Sequence, residues 1–151
     1  MRVLSADWVV PVEGAPVENG AVAIGEDGRI AAVGPASELG EGELFPDAVI
    51  LPGFVNAHSH LEYAVYAGFG DGLSFGPWIT LHVERKRRID LEDMEAIARL
   101  GVLECLRSGI TTVGDASFSG AAATACAELG MRAIVFLEVF GHDESAVGEL
   151  F

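Results

Sequence analysis

The run from Ala48 to Glu62, AVILPGFVNAHSHLE, constrains the fold more than any other stretch of this 151-residue chain. Branched apolar residues (Val49, Ile50, Leu51) meet Pro52-Gly53, resume as Phe54-Val55 and end in His58-Ser59-His60. An apolar run bounded by turn residues predicts a strand buried on both faces. Residues two apart on a strand project from one side, so His58 and His60 share a direction. At a rise of roughly 3.3 Å per residue their backbones lie about 6–7 Å apart, within reach of one ion. Neutral imidazole is a common ligand for zinc and other divalent transition metals. The plainer alternative, two partly exposed histidines at a strand end, loses ground because a polar pair at the mouth of so apolar a strand needs a reason to be there.

Downstream of the histidines, helix and strand alternate. Glycine-rich residues 67–77 match no phosphate-binding pattern and read as a loop. Helices are expected over Trp78–Ile89 and Leu91–Leu106, the second capped by Asp90 with Glu92, Asp93 and Glu95 in its first turn. Met94, Ile97, Ala98, Gly101, Val102 and Cys105 recur at helical spacing and form its packing stripe. Ile110–Val113 is a second strand, Gly120–Leu129 a small-residue helix, and Ala133–Phe140 a third strand. Strands alternating with helices imply a parallel sheet joined by crossovers. Residues 2–10, 21–24 and 30–33 are shorter strands with a hairpin signal at Asp27-Gly28, forming a small antiparallel sheet. Residues 40–47 read as a connector.

LPGFVNAHSH resembles the first barrel strand of the amidohydrolase superfamily, with SGITTVGDAS and MRAIVFLEVFG resembling its second and third. The closest likeness is to the aminohydrolase branch that includes adenosine-type and aminodeoxyfutalosine deaminases and the triazine hydrolases, within which the HSHLEY and GDGLSFGPWI segments are most similar to the aminodeoxyfutalosine-deaminase type. The resemblance implies an α/β fold: the first three strands of a (β/α)8 TIM barrel over residues 50–151, preceded over residues 1–49 by part of a small β-sandwich subdomain. A complete barrel takes about 250 residues, so the expectation is the N-terminal portion of a longer enzyme. It further implies one divalent metal ion, zinc or alternatively iron, held in part by His58 and His60. Similar proteins draw their other ligands and proton-transfer groups from later strands, beyond residue 151. The implied reaction is hydrolysis of a C–N bond in an aminopurine or its nucleoside. A triazine chloro- or aminohydrolase, or a scaffold relative without catalysis, are the alternatives, and the retained histidine pair argues against the last.

Active sites of such barrels lie at the C-terminal ends of the strands. That selects His58, His60 and Glu62 after strand one, Asp115 after strand two, and Glu138 and then His142 after strand three. Asn56 shares the histidines' parity and is expected to hydrogen-bond one of them. Glu62 is either loop surface or a substrate contact, and Asp115 either steadies its loop or faces the pocket. From the resemblance, Trp78 and Glu84 stand where nucleoside-handling members place an aromatic residue and a ribose-binding glutamate. Glu84 is closer to Trp78 than in those enzymes, and its alternative role is a surface ion pair beside Arg85, Lys86, Arg87 and Arg88.

The net charge of −14 and pI near 4.4 argue against nucleic acid or anionic membranes as partners. Nothing resembles a secretory signal or a membrane span. Two cysteines in helices, Cys105 and Cys126, lack metal spacing and read as reduced thiols. A cytoplasmic enzyme with a small-molecule substrate is the resulting expectation, with a homodimer one option for the full-length protein.

Overall fold

The computed structural model describes residues 1–40 and 42–139. It divides into two compact units, Met1–Pro52 and Gly53–Phe151, so residues 50–52 belong with the first unit and not the second as expected.

The first unit is one four-stranded sheet in the order β3-β2-β1-β4. β1 (Arg2–Val9), β2 (Val17–Ile24) and β3 (Ile30–Pro35) pair antiparallel. The β2–β3 hairpin closes on Gly28, whose φ of 76° suits a residue without Cβ. The supposed connector is in fact a strand, β4 (Glu43–Ile50), paired parallel to β1. Pro46 disguised it, since proline is excluded from central strands but tolerated at a sheet edge, where β4 lies. The core is thin and built from Val3, Ala21 and Ala23, with Ala32, the short helix α1 (Ala36–Leu39) and its Leu39 packed against it.

The apolar run therefore splits into two strands of different sheets. β5 (Phe54–Ser59) begins the second unit, whose parallel sheet has the order β5-β6-β7. Gly53 permits the entry, because a Cβ there would lie 2.3 Å from the Thr111 hydroxyl oxygen. A short 3-10 turn (Leu61–Tyr66) and α2 (Phe75–Lys86) come next, then α3 (Leu91–Arg107), β6 (Ile110–Ser117), α4 (Ala121–Leu129) and β7 (Arg132–Leu137). α2 begins a turn earlier than its pattern suggests, because Pro77 falls in the first turn, where its missing N–H costs nothing. Asp90 caps α3 as expected, accepting the Asp93 N–H at 2.9 Å. β6 extends four residues past Val113, and the third strand, β7, ends at Leu137.

One face of this sheet is packed: Met94, Ala98 and Val102 of α3 and Ala121, Ala122, Ala125 and Cys126 of α4 close on Val113 and Leu61. The other face is bare among the described residues. Ile134 and Phe136 of β7 pair with Gly114 and Ala116 of β6 on that side and are 65% and 60% exposed. Val55 is also exposed, so β5 is not buried on both faces as its composition suggests. Among the described residues, no helix is long and apolar enough to cross a membrane.

Candidate functional site

Strand ends bring His58, His60, Ala116 and Glu138 together. The two imidazoles stand edge to face with centroids 5.0 Å apart. Nδ1 of His60 lies 2.8 Å from the Ala116 carbonyl oxygen. A carbonyl has no proton to give, so Nδ1 carries the hydrogen and Nε2 keeps its lone pair. That arrangement fixes the tautomer that a metal-binding histidine needs. Glu138 Oε2 is 3.8 Å from the same nitrogen, too far to compete with the carbonyl.

The donor set fits a divalent transition ion in kind but is incomplete. Among the described residues no group of three or more His, Cys, Asp or Glu converges, whereas a catalytic zinc site usually has three protein ligands. His142 lies outside the described residues.

Asn56 does not bond a histidine ring. Its Oδ1 accepts the backbone N–H of His58 at 3.3 Å. The reason is register: Asn56 pairs with Val113 but Ser59 with Asp115, so an extra residue in β5 puts Asn56 out of step with the histidines.

Glu62 is not on a loop surface. It sits in the 3-10 turn, 1% exposed, and its carboxylate gathers donors from the loop after β6. The hydroxyl of Ser117 donates to it, as do the Phe118 N–H at 2.9 Å, the Ser119 N–H at 3.2 Å and the Ser119 hydroxyl at 2.9 Å. Burial pushes its pKa up, but these bonds outweigh it and leave the carboxyl below its usual range. Protein donors occupy the oxygens offered as a substrate contact, and Glu62 fastens the turn to the loop.

Asp115 is fully buried and takes the structural option. It accepts the Ser59 hydroxyl at 2.9 Å and the Leu61 N–H at 2.8 Å. Burial raises its pKa against those bonds. Ser59 thus faces away from the histidines, as its strand parity indicates.

Trp78 and Glu84 are not brought together. Six residues apart on α2, they differ by about 120° around the helix. Trp78 packs on His82 at 4.2 Å, while Glu84 is exposed. His82 is 6% exposed, and neither ring nitrogen has a hydrogen-bond partner among the described residues. Burial lowers its pKa, and the Phe69 backbone partly offsets this from outside hydrogen-bonding geometry. A shallow groove of about 230 Å³ runs beside α3. Its lining includes Ser59, His60, Leu61 and Cys105.

Residues unforeseen from sequence also surround His60. Tyr63 stacks on His60 with centroids 5.2 Å apart and planes inclined by 17°. In a 3-10 turn residues i and i+3 eclipse one another, and His60 is the N-cap of the turn holding Tyr63. Lys86 of α2 donates to the Tyr63 hydroxyl at 3.0 Å and lies 3.5 Å from the centre of the Phe118 ring. Burial, then the nearby Glu138 and Glu62 carboxylates, push the Tyr63 hydroxyl up to about 12. The spacing His60–Tyr63 was a usable signal once a tight turn was recognised.

Comparison with known proteins adds to this geometry. The pattern described as "Amidohydrolase family" matches residues 49–147. A 5-methylthioadenosine/S-adenosylhomocysteine deaminase of Moorella thermoacetica is 33% identical over 146 residues, covering 91% of this chain and 34% of that protein. A 5'-deoxyadenosine deaminase of Methanopyrus kandleri is 33% identical, covering 79% of this chain and 30% of that protein. The chain thus spans about a third of the length of these curated relatives. Among solved structures, Helicobacter pylori aminofutalosine deaminase in complex with methylthio-coformycin superposes with a TM-score of 0.81 at 24% identity, covering 99% of this chain and 38% of that one. Atrazine chlorohydrolase from Arthrobacter aurescens, complexed with zinc, gives 0.82 at 21% identity, covering 96% and 37%. At these identities the superpositions establish the fold alone.

Proposed function

Because this chain belongs to the amidohydrolase family, we propose that it forms the first three strands of a metal-dependent hydrolase barrel that deaminates an aminopurine nucleoside. The observation that carries the reading is the His58–His60 pair at the strand mouth, with His60 Nδ1 committed to the Ala116 carbonyl. The relatives named as adenosine-type deaminases support the reaction and the nucleoside class. The aminofutalosine deaminase likeness, with HSHLEY, makes aminodeoxyfutalosine a substrate to include.

His58 and His60 would hold a divalent ion, zinc or alternatively iron. A bound ion of this kind would lower the pKa of a coordinated water to about 7, making hydroxide available at neutral pH. This chain's own part is positional. The Ala116 carbonyl orients His60, the Asn56 amide holds the His58 backbone, and Glu62 ties the turn after the histidines to the loop after β6. For the nucleoside, Trp78 offers a partly exposed indole and Glu84 an exposed carboxylate on the same helix.

The test uses the longer, metal-loaded protein that the barrel requires. It should release ammonia from 5'-deoxyadenosine, 5-methylthioadenosine or aminodeoxyfutalosine, with the absorbance change of amine to carbonyl. His58→Ala or His60→Ala should lower bound metal well below one equivalent and cut turnover by orders of magnitude. Chloride release from a chlorotriazine with every aminopurine untouched would overturn the deaminase reading while leaving the metal site. Full metal and activity in His58→Ala would overturn both.

A further inference from the structure

We infer that Tyr63 is a positioning residue for His60, holding the plane of its imidazole, and that Lys86 of α2 tethers Tyr63 in that role. The inference rests on the proposed metal site. Three features carry it. The phenol ring lies nearly parallel to the imidazole, at 17° and 5.2 Å. The His60 ring otherwise has one hydrogen bond, at Nδ1, and the edge-to-face contact with His58 at 5.0 Å; a single bond along one edge leaves the ring able to rock about it. A flat ring on its face removes that freedom. Finally, the tyrosine hydroxyl accepts from Lys86 Nζ at 3.0 Å, and the same ammonium sits 3.5 Å from the Phe118 ring centre. Lys86 therefore joins α2, the 3-10 turn and the loop after β6 behind one histidine.

Groups around a metal ligand that orient it typically change metal affinity 10–100-fold when removed. The stack and the tether make separable contributions. Tyr63→Leu abolishes the stack, whereas Tyr63→Phe keeps it and cuts the tether. Lys86→Met cuts the same tether from the other side.

The experiment is zinc competition against a chelator on the metal-loaded protein, with thermal unfolding of each variant as a check on folding. Tyr63→Leu should weaken zinc retention about tenfold or more, at the lower end of the range for orienting groups. Tyr63→Phe should restore most of that loss. Tyr63→Phe should show only a small change, because it removes one hydrogen bond and keeps the ring face, and Lys86→Met, which also gives up the contact with the Phe118 ring, should show a change at least as large. If Tyr63→Leu does not fold, Tyr63→Met, which fills similar volume without a ring plane, makes the same comparison. Zinc retention in Tyr63→Leu or Tyr63→Met equal to the unmodified protein would overturn the inference. In that outcome, a large loss in His60→Ala would leave the proposed metal site standing. Equal loss in Tyr63→Phe and Tyr63→Leu would also overturn it, since the ring face would then not be what matters.

Discussion

Removing the Glu62 carboxylate tests the fastening between the 3-10 turn and the β6–α4 loop. In Glu62→Ala the Ser117 and Ser119 hydroxyls lose an acceptor but can rotate; Ser117 Oγ already accepts the Gly120 N–H at 2.9 Å. The Phe118 and Ser119 N–H groups cannot rotate away. A stranded donor costs about 1–3 kcal/mol, and the bottom of that range, about 1–1.5 kcal/mol each, suits these half-buried groups, giving about 2–3 kcal/mol for the pair. The vacated space around a side chain 1% exposed adds about 1 kcal/mol more, so the whole loss is about 3–4 kcal/mol. Glu62→Gln is the control. Its amide oxygen can serve both N–H groups while its NH2 donates to the hydroxyls, so chiefly the charge assistance is lost, about 1 kcal/mol. Urea unfolding at neutral pH, in the longer protein that the proposed barrel would require, measures both. The reasoning is refuted if Ala lies within about 0.5 kcal/mol of the parent, the margin of an ordinary surface substitution, or if Gln costs as much as Ala.

Three further outcomes are expected. Gly101→Ala should destabilise by about 1–2 kcal/mol on overpacking grounds, because its Cβ would lie 2.7 Å from the Leu61 carbonyl oxygen; a stabilised variant in thermal unfolding would show that the turn after the histidines yields. Cys126 is buried, and burial first, then Asp115 and Cys105, push its thiol up. A raised pKa means less thiolate at neutral pH, so mass spectrometry after iodoacetamide should find Cys126 unmodified until pH is raised or the protein unfolds; rapid labelling of the folded protein at neutral pH contradicts this. Residues 1–151 by themselves expose Val55, Ile134 and Phe136 and leave sheet edges at β5 and β7. Such edges invite association, so calorimetry and light scattering should show aggregation or no cooperative transition, and a sharply melting monomer would count against the open sheet.

The alternation of strands and helices was legible because it is written in local periodicity. The α3 stripe repeats at helical spacing, Asp90 precedes it as a cap, and the histidine pair marks a strand mouth. Each of these depends on residues a few positions apart. Where sequence reading failed, the deciding contact was distant or the chain departed from regular geometry. β4 stayed hidden because whether Pro46 is tolerated depends on the strand's place at the sheet edge. Asn56 lost the histidines' parity through a register shift against β6 that no residue in β5 announces. Glu62 read as loop surface or a substrate contact because its donors lie 55 to 57 residues later, and Tyr63 meets His60 because a tight turn, rather than a strand or an α-helix, succeeds the strand. Sequence by itself determined the order of elements and the chemistry of the two imidazoles. Tertiary structure alone decided which polar groups are buried, since burial depends on which distant segments close over them.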